Sequence, residues 1–301
     1  MSNWISEFRA DIRTMSQADG ISTGGSPVER LRKLQRIIRR SINRCWRDRE
    51  VINAPRVFCQ NSGGCGSTYI VKLLQSNGVA NCFHEKSPDL NRQGLEFFED
   101  STRRGRIVRL LRYTRHDVRF EASNRLFSFS RELKTAFPQA RFIHLHRHAA
   151  DAVCSAMSKP DIERYLATSP RFVGTAGGPH DAPPFERFCH YWANINGRIL
   201  NDLDELRLDE HERFSLAFND LISGNMTSLE SFLGVGFHTA TIPAANVGRT
   251  GRSGRFPGYR DWAESHKEVF HRICDPVLTR LGYPESPLAA ATSIGQLFRS
   301  A

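Results

Sequence analysis

The segment 57–75 constrains the fold of this chain more than any other part of the sequence. Its first residues, Val57-Phe58-Cys59, form a short apolar run after a proline, which predicts a buried strand. A glycine-rich turn follows at 60–66, and the apolar spacing of 67–75 predicts a helix. A strand, a glycine loop and a helix in this order can bind phosphate. Glycines let the backbone approach an anion, and the first N–H groups of the helix point toward it.

The predicted phosphate-binding residues lie in the second half of the glycine loop and in the first turn of the helix. They are Gly63, Gly64, Cys65, Gly66, Ser67, Thr68 and Tyr69. The loop is not a Walker A motif, which needs a lysine directly before the Ser or Thr, whereas here Gly66 precedes Ser67. An ordinary ATPase or GTPase is therefore disfavoured. A tight strand-to-helix turn without a ligand is the alternative interpretation.

The charge of the chain indicates what kind of partner it binds. Its 301 residues can form one large α/β domain or two small ones, and its formal net charge is +10, with a pI near 9.6. This balance predicts a polyanionic partner such as a nucleotide, a nucleic acid or an acidic lipid headgroup. Aromatic residues are not interleaved with the arginine clusters as base-stacking platforms require, so we expect no nucleic-acid partner.

The cysteines and the apolar runs indicate the compartment. The seven cysteines are dispersed and include no CxxC pair, which predicts free thiols in a reducing compartment rather than a disulfide framework or a zinc site. Met1 is followed by a polar, charged segment, and the sequence contains no apolar run of about 18 residues. We therefore expect a cytoplasmic protein without a transmembrane segment.

Three regions are expected along the chain: a basic helical extension at 1–50, the main domain at 51–285 and a flexible tail at 286–301. Within the extension, apolar residues of 28–49 recur at helical spacing and Lys or Arg fills the other face. This helix either packs on the domain with a solvated basic face or makes a peripheral contact with an acidic membrane surface.

Charged residues follow the second predicted strand. The strand at 79–83 ends in His84-Glu85-Lys86, and another strand is predicted at 118–122. Functional sites of parallel sheets lie at the carboxyl ends of the strands. The cluster His84-Glu85-Lys86 is therefore a candidate catalytic group. A surface turn with one salt bridge is the alternative interpretation.

Two more segments have the character of anion sites. Arg147 directly follows a predicted strand at 141–146, and Ser155 lies in the next predicted helix. A guanidinium forms forked, charge-assisted hydrogen bonds and suits an isolated phosphate. The other segment is a Gly/Arg-rich loop at 246–260, whose candidate binding residues are Arg249, Arg252 and Gly254.

Three histidines alternate near the fourth strand, at His144, His146 and His148. Alternate strand residues share a face, but a metal site also needs ligands from other parts of the chain. We expect these histidines to be hydrogen-bonded inside the sheet next to an anion site, and we expect no metal.

In this combination the segments resemble the sulfotransferase family, whose donor is 3′-phosphoadenosine 5′-phosphosulfate (PAPS). The run 64–69 (GCGSTY) resembles the 5′-phosphosulfate loop of that family. The run 141–157 resembles its 3′-phosphate site, with Arg147 and Ser155 at the matching positions. The segments 214–235 and 248–270 are similar to its strand-and-helix segment and its C-terminal donor-binding loop. The resemblance covers residues 55–285.

The resemblance implies an α/β fold of three layers, in which a central, mostly parallel, P-loop-like sheet is flanked by helices. It implies a transferase of the EC 2.8.2 type that uses PAPS and no metal. The segment 66–90 is most similar to bacterial carbohydrate sulfotransferases such as the trehalose type, in which a glutamate at the position of Glu85 acts as the base. The implied acceptor is a hydroxyl group on a carbohydrate or glycolipid.

Sulfuryl transfer by in-line displacement needs a base for the acceptor proton and positive charge or N–H donors for the departing phosphate oxygen. Glu85 is the first candidate for the base, His84 is the second, and Lys86 is a cation beside them. Glu121 is a further candidate, because the segment around it falls where other branches of the family carry a catalytic group.

One position departs from the family pattern. The family has Lys or Arg where this chain has Gly64, and that side chain stabilises charge on the leaving phosphate. The sequence offers Lys86, Arg56 and Arg252 as replacements. The departure also leaves two alternatives open: a catalytically impaired PAPS-binding or PAP-binding protein, where PAP is the desulfated donor, and another P-loop-like nucleotide-dependent transferase.

Overall fold

A central sheet of five strands organises the computed structural model, which describes residues 55–86, 104–167, 182–238 and 256–283. The strands are β1 Val57–Gln60, β2 Cys82–His84, β3 Phe120–Ser123, β4 Arg141–His146 and β5 Arg213–Ala217. They lie in the order β2-β3-β1-β4-β5, and every described pair is parallel. The predicted α/β class with a mostly parallel sheet is confirmed. The expected extension 1–50 and tail 286–301 lie outside the described residues.

Helices cover both faces of the sheet. They are α1 Ser67–Ser76, α2 Arg104–Thr114, α3 Ser130–Ala136, α4 Ala149–Met157, α5 Ile162–Ala167, α6 Pro184–Glu205, α7 Phe218–Ser223, α8 Thr227–Leu233 and α9 Glu264–Arg280. Two short 3₁₀ turns, Leu126–Phe129 and Tyr259–Asp261, precede α3 and α9.

Alternation along the strands divides the interior into two cores. On β1, Val57 and Cys59 pack with α1 and α8, whereas Phe58 packs with α3, α4, α6 and α9. On β4, Ile143 belongs to the same core as Val57 and Cys59, and Phe142 belongs to the same core as Phe58. Successive strand residues point to opposite faces, so a strand covered on both sides must be apolar throughout. This arrangement produces the predicted three layers.

The chain leaves the middle of the sheet in two directions. From β1 it passes through α1 to β2 at one edge, and from β4 it passes through α4, α5 and α6 to β5 at the other. Ligands of open parallel sheets bind in the crevice at the carboxyl ends of strands where the direction reverses. Here that crevice lies above β1 and β4, where the glycine loop and Arg147 begin.

A buried ion pair joins Glu121 on β3 to Arg115, which precedes the strand. Arg115 Nε lies 2.6 Å from Glu121 Oε2 and its Nη2 lies 3.0 Å from Oε1, and both side chains are 0% exposed. Such a bidentate pair satisfies two charges that would be costly to bury alone. Glu121 therefore holds the core together, and the expectation that it is a candidate base was wrong.

This ion pair generates a prediction for stability. Glu121→Gln leaves the Arg115 charge buried without its counter-charge, so we expect a loss of about 3–5 kcal/mol in the free energy of unfolding. Chemical denaturation followed by circular dichroism measures it. Glu264→Gln is the matched control, because Glu264 pairs with Lys267 on the surface and is 81% exposed. Equal effects of the two changes would contradict the structural role of Glu121.

Candidate functional site

The glycine loop between β1 and α1 is held by its own hydrogen bonds. Gly63, Gly64 and Gly66 all have positive φ, at 86°, 68° and 89°. The Gly63 amide donates to Asn61 Oδ1 over 2.9 Å, and the thiol of fully buried Cys65 donates to the Gly63 carbonyl over 3.2 Å. The loop is therefore shaped before any ligand binds, which reduces the ordering cost of binding.

Two of these glycines differ in what surrounds them. A Cβ on Gly66 would lie 2.8 Å from Phe218 Cε2, so the position is closed to larger residues. Gly64 is exposed at the tip of the loop, and a Cβ there would have no atom of a described residue within 4 Å. The tip consequently presents backbone and open space to an incoming anion.

The amino end of α1 supplies hydrogen-bond donors. The first bond of the helix joins the Ile70 amide to the Gly66 carbonyl, and the helix has neither a side-chain cap nor an acidic residue in its first turn. The amides of Ser67, Thr68 and Tyr69 have no acceptor among the described residues. Unpaired N–H groups and the positive end of the helix dipole favour a bound anion at this point.

Arg147 lies against the tip of the loop. Its Nη1 is 3.4 Å from the Gly64 carbonyl oxygen, and its Cζ is 4.9 Å from the centre of the Phe218 ring. Its Nε is buried without a hydrogen-bond partner, while its backbone carbonyl accepts from the Trp192 indole over 3.2 Å. Within the described residues no carboxylate forms an ion pair with the guanidinium, and the Asp151 carboxyl in the first turn of α4 interacts with its charge only at longer range.

Ser155 lies two turns along α4, partly exposed, between two contacts with the C-terminal part of the chain. The Cys154 thiol donates to the Pro257 carbonyl over 3.3 Å, and the Phe256 amide donates to Ser158 Oγ over 3.0 Å. The predicted binding residues Arg249, Arg252 and Gly254 lie outside the described residues. The chain that directly follows them is held beside Ser155.

The end of β2 meets the first turn of α1. His84 is exposed, and its Nε2 lies 3.1 Å from Ser67 Oγ. Glu85 has a left-handed backbone, with φ 53°, and its amide donates to the Ala122 carbonyl over 3.1 Å. Non-glycine residues rarely adopt this conformation, which often marks functional positions. The structure thus brings His84 to the first turn of α1, and Glu85 is the next residue along the chain.

Lys86 is engaged elsewhere. Its ammonium forms an ion pair with Asp117 and lies 3.9 Å from the centre of the Phe83 ring. Asp117 precedes β3, on the amino-terminal side of the sheet. The side chain of Lys86 therefore runs back along β2 and away from the glycine loop.

The three histidines are part of the protein interior. His144 Nε2 lies 2.9 Å from Asn196 Oδ1, and His146 lies between the Tyr283 hydroxyl and Ser215 Oγ, at 2.8 and 2.9 Å. Burial lowers the pKa values of His144, His146 and His148 to about 4, 3 and 4. They are neutral at pH 7 and add no charge to the site.

His148 also has a structural role, because its Nδ1 accepts the Ala150 amide over 3.2 Å at the start of α4. The described residues contain no group of three His, Cys, Asp or Glu side chains placed to hold a metal ion. The six described cysteines are free thiols, as the sequence predicted.

The sequence did not predict two contributors. Phe218 follows β5 and packs against both Gly66 and Arg147, and Tyr283 is hydrogen-bonded to His146. An apolar residue at the end of a strand is the only signal of Phe218. Tyr283 carries no local signal, since its partner is 137 residues away.

No protein-family model and no curated protein matches the chain. Among solved structures it is similar to the sulfotransferase domain from the curacin biosynthetic pathway, with TM-score 0.44 and 15% identity, over 77% of this chain and 99% of that domain. It is also similar to the sulfotransferase domain of the Synechococcus PCC 7002 olefin synthase, with TM-score 0.38 and 18% identity, over 62% and 76%. A third is the sulfotransferase from Alicyclobacillus acidocaldarius, with TM-score 0.41 and 15% identity, over 75% and 94%.

Similarities of this size do not identify a function, and the fold class rests on the sheet topology described above. None of the helices within the described ranges is both long and apolar enough to cross a membrane.

The buried histidines generate a prediction for pH dependence. Between about pH 6.5 and pH 4 the unfolded chain binds protons that the folded chain excludes from His144, so the free energy of unfolding falls as pH falls. His144→Gln should flatten this slope by up to about 1.4 kcal/mol per pH unit. Urea denaturation at a series of pH values measures the slope. The control is His211→Gln, since the His211 side chain is 85% exposed, and an unchanged slope in His144→Gln would contradict the prediction.

Proposed function

We propose that this chain is a PAPS-dependent sulfotransferase of the EC 2.8.2 type. It moves the sulfuryl group from PAPS to an acceptor hydroxyl on a carbohydrate or glycolipid. The observation that carries the proposal is the position of the Arg147 guanidinium, 3.4 Å from the carbonyl of Gly64 at the open tip of the glycine loop. Two anion-binding elements from different strands are thereby adjacent, which suits a ligand with anionic groups on both sides of one ribose.

The two anionic groups of the donor would bind to the two elements at the same time. The unpaired amides of Ser67 and Thr68, with their hydroxyl groups, would hold the 5′-phosphosulfate. Arg147 and Ser155 would hold the 3′-phosphate, because a guanidinium without a carboxylate partner gains most from a phosphate. Arg249, Arg252 and Gly254, which lie outside the described residues, are proposed as further donor-binding residues. The chain that follows them is held beside α4 through Phe256.

The transfer itself would be an in-line displacement. The acceptor oxygen forms a bond to sulfur as the bond between sulfur and the bridging oxygen breaks. The acceptor proton passes to a base, and PAP leaves with one more negative charge on its 5′-phosphate. No metal is part of this proposal.

Glu85 is proposed as the base, with His84 as the second candidate. Both follow β2 at the carboxyl edge, and His84 Nε2 is already 3.1 Å from Ser67 Oγ in the first turn of α1. A proton acceptor at this place would face the sulfuryl group held by that turn. The sequence also made Lys86 a candidate catalytic cation beside these two residues, but Asp117 compensates the charge of Lys86.

The carbohydrate or glycolipid acceptor rests on the resemblance of residues 66–90 to carbohydrate sulfotransferases. A catalytically impaired PAPS-binding or PAP-binding protein is the second candidate function. The observation that favours it is the exposed Gly64, which leaves the tip of the loop without a cation of its own.

Donor binding tests the proposal. PAP should bind the wild-type chain in calorimetric titration more tightly than ADP or AMP, which lack the 3′-phosphate. Arg147→Ala should weaken PAP by at least about 2 kcal/mol and remove the preference, because a desolvated charge pair is lost. Arg119→Ala removes the same charge from the exposed amino end of β3 and is the matched control. Equal binding of PAP and AMP by the wild type would refute the proposed donor.

The choice of base is tested separately. Glu85→Gln should lower turnover by about 100-fold or more, the usual size of general-base catalysis, with PAP affinity nearly unchanged. Turnover is measured as PAP release from PAPS with trehalose and related sugars as acceptors. His84→Gln is the parallel variant. A loss in His84→Gln with full turnover in Glu85→Gln would move the role to His84.

A further inference from the structure

The tip of the glycine loop has no cationic side chain of its own, and the Arg147 guanidinium beside it is assigned to the 3′-phosphate. When the bond between sulfur and the bridging oxygen breaks, the 5′-phosphate gains negative charge, and catalysis depends on stabilising that charge in the transition state. Gly64 contributes no side chain there. The inference that follows depends on the proposed function and concerns the residue that supplies this charge.

The residues that the sequence offered as replacements are directed elsewhere. Lys86 is paired with Asp117. Arg56 is 2% exposed and precedes β1, where its Nη2 donates to the His116 carbonyl over 3.0 Å, so it lies at the amino edge of the sheet. Arg252 lies outside the described residues. Arg147 is proposed to bind the 3′-phosphate.

Arg125 lies at the carboxyl edge, where the charge is needed. Strand β3 pairs with β1 so that Ser123 is opposite Gln60, which places Arg125 two residues beyond the sheet on the side of the glycine loop. Its amide donates to Ser123 Oγ over 3.2 Å, so the chain turns directly after the strand. The half-buried guanidinium has neither an ion pair nor a hydrogen bond to any described residue.

The connection from β1 to α1 makes contacts on both sides of this position. Strand β3 lies between β1 and β2, with neighbouring strands about 4.8 Å apart. Ser67, the first residue of α1, reaches across to His84 at the end of β2. Contacts of this connection therefore lie on both sides of the carboxyl end of β3: His84 after β2 on one side, and Arg147 after β4 with Phe218 after β5 on the other.

Unpaired polar atoms occupy the same edge. Asn61 follows β1, is 0% exposed and has an Nδ2 without a hydrogen-bond partner, and Asn124 has an unpartnered buried Oδ1 beside Arg125. Buried polar atoms are nearly always hydrogen-bonded in folded proteins. Unpaired donors and acceptors next to a cation that has no partner in the described part of the chain indicate a place for a polar, charged ligand group.

We infer that Arg125 supplies the positive charge that stabilises the leaving 5′-phosphate, in place of the side chain missing at Gly64. In the proposed step the bond between sulfur and the bridging oxygen breaks and both of its electrons remain on that oxygen. The acceptor oxygen bonds to sulfur and its proton passes to the base. Arg125 binds the oxygen that carries the new charge, and neither gains nor loses a proton.

Binding of two nucleotides tests the inference without an acceptor. PAP carries the 5′-phosphate, whereas adenosine 3′-phosphate lacks it and is otherwise identical. In calorimetric titration Arg125→Ala should weaken PAP at least tenfold and adenosine 3′-phosphate less than twofold. Arg125→Lys should restore part of the PAP affinity, and Arg119→Ala, on the same strand segment but at the amino end, should change neither ligand.

Turnover supplies the second measurement. With PAPS and a sugar acceptor, Arg125→Ala should lower kcat at least 100-fold while KM for the acceptor stays within twofold. A rise in the acceptor KM alone would assign Arg125 to the acceptor and overturn the inference. Unchanged PAP affinity in Arg125→Ala would also overturn it, as would an equal loss for both nucleotides.

These outcomes are separable from failure of the proposed function. If both the wild-type chain and Arg125→Ala prefer PAP to AMP and bind PAP with equal affinity, the donor assignment is supported and the role of Arg125 is refuted. If the wild-type chain does not bind PAP, both fall together. Denaturation curves of each variant show whether a loss of binding reflects loss of the fold.

Discussion

The parallel ladder around β1 is the constraint on which the rest of the structure depends. The strand is fully buried and pairs on one side with β3 and on the other with β4, so that Gln60 is level with both Ser123 and His144. Its two faces belong to the two hydrophobic cores. Once this register is set, the glycine loop, Arg125 and Arg147 all emerge at the same edge within a few residues of one another.

Electrostatics at that edge come from few sources. The histidines beside the site are neutral because burial lowers their pKa values, and Lys86 is compensated by Asp117. Within the described residues the positive sources are the amino end of α1 and the guanidinium groups of Arg125 and Arg147, and the acidic groups at the same edge are Glu85 and Asp151. An anion held there replaces water with fixed N–H donors and guanidinium groups, whose interaction with it is stronger in a partly buried crevice than on an open surface.

The parts of the fold that depend on local patterns were predictable. The strands β1 and β4 and the helix α1 lie where apolar spacing and glycine placed them, and the helix predicted after β4 is α4. Strand β2 begins later than predicted. Val79 still caps α1 through its amide, and Asn81 has a left-handed backbone. Helix α2 was not predicted, although its buried residues Ile107 and Leu111 recur at helical spacing with arginines between them.

The roles of single polar residues were less predictable. Glu121 and Glu85 both adjoin predicted strands, and both were candidate bases. Only the fold shows that Arg115 neutralises Glu121 in the core, whereas Glu85 lies past the end of β2, next to the His84 that contacts Ser67. The two residues differ in their three-dimensional partners, which strand periodicity does not encode.

The sequence by itself determined that this chain has a strand, a glycine loop and a helix able to receive an anion, because glycine spacing and apolar periodicity are local properties. Only the tertiary structure decided which charges surround that loop. Arg147 contacts the loop at Gly64, although the two residues are 83 positions apart in the sequence. Lys86 is only 20 residues after Gly66, but it forms an ion pair with Asp117 instead. Coulombic and hydrogen-bond partners depend on distance in space, and the parallel sheet sets that distance by bringing the ends of separate strands together.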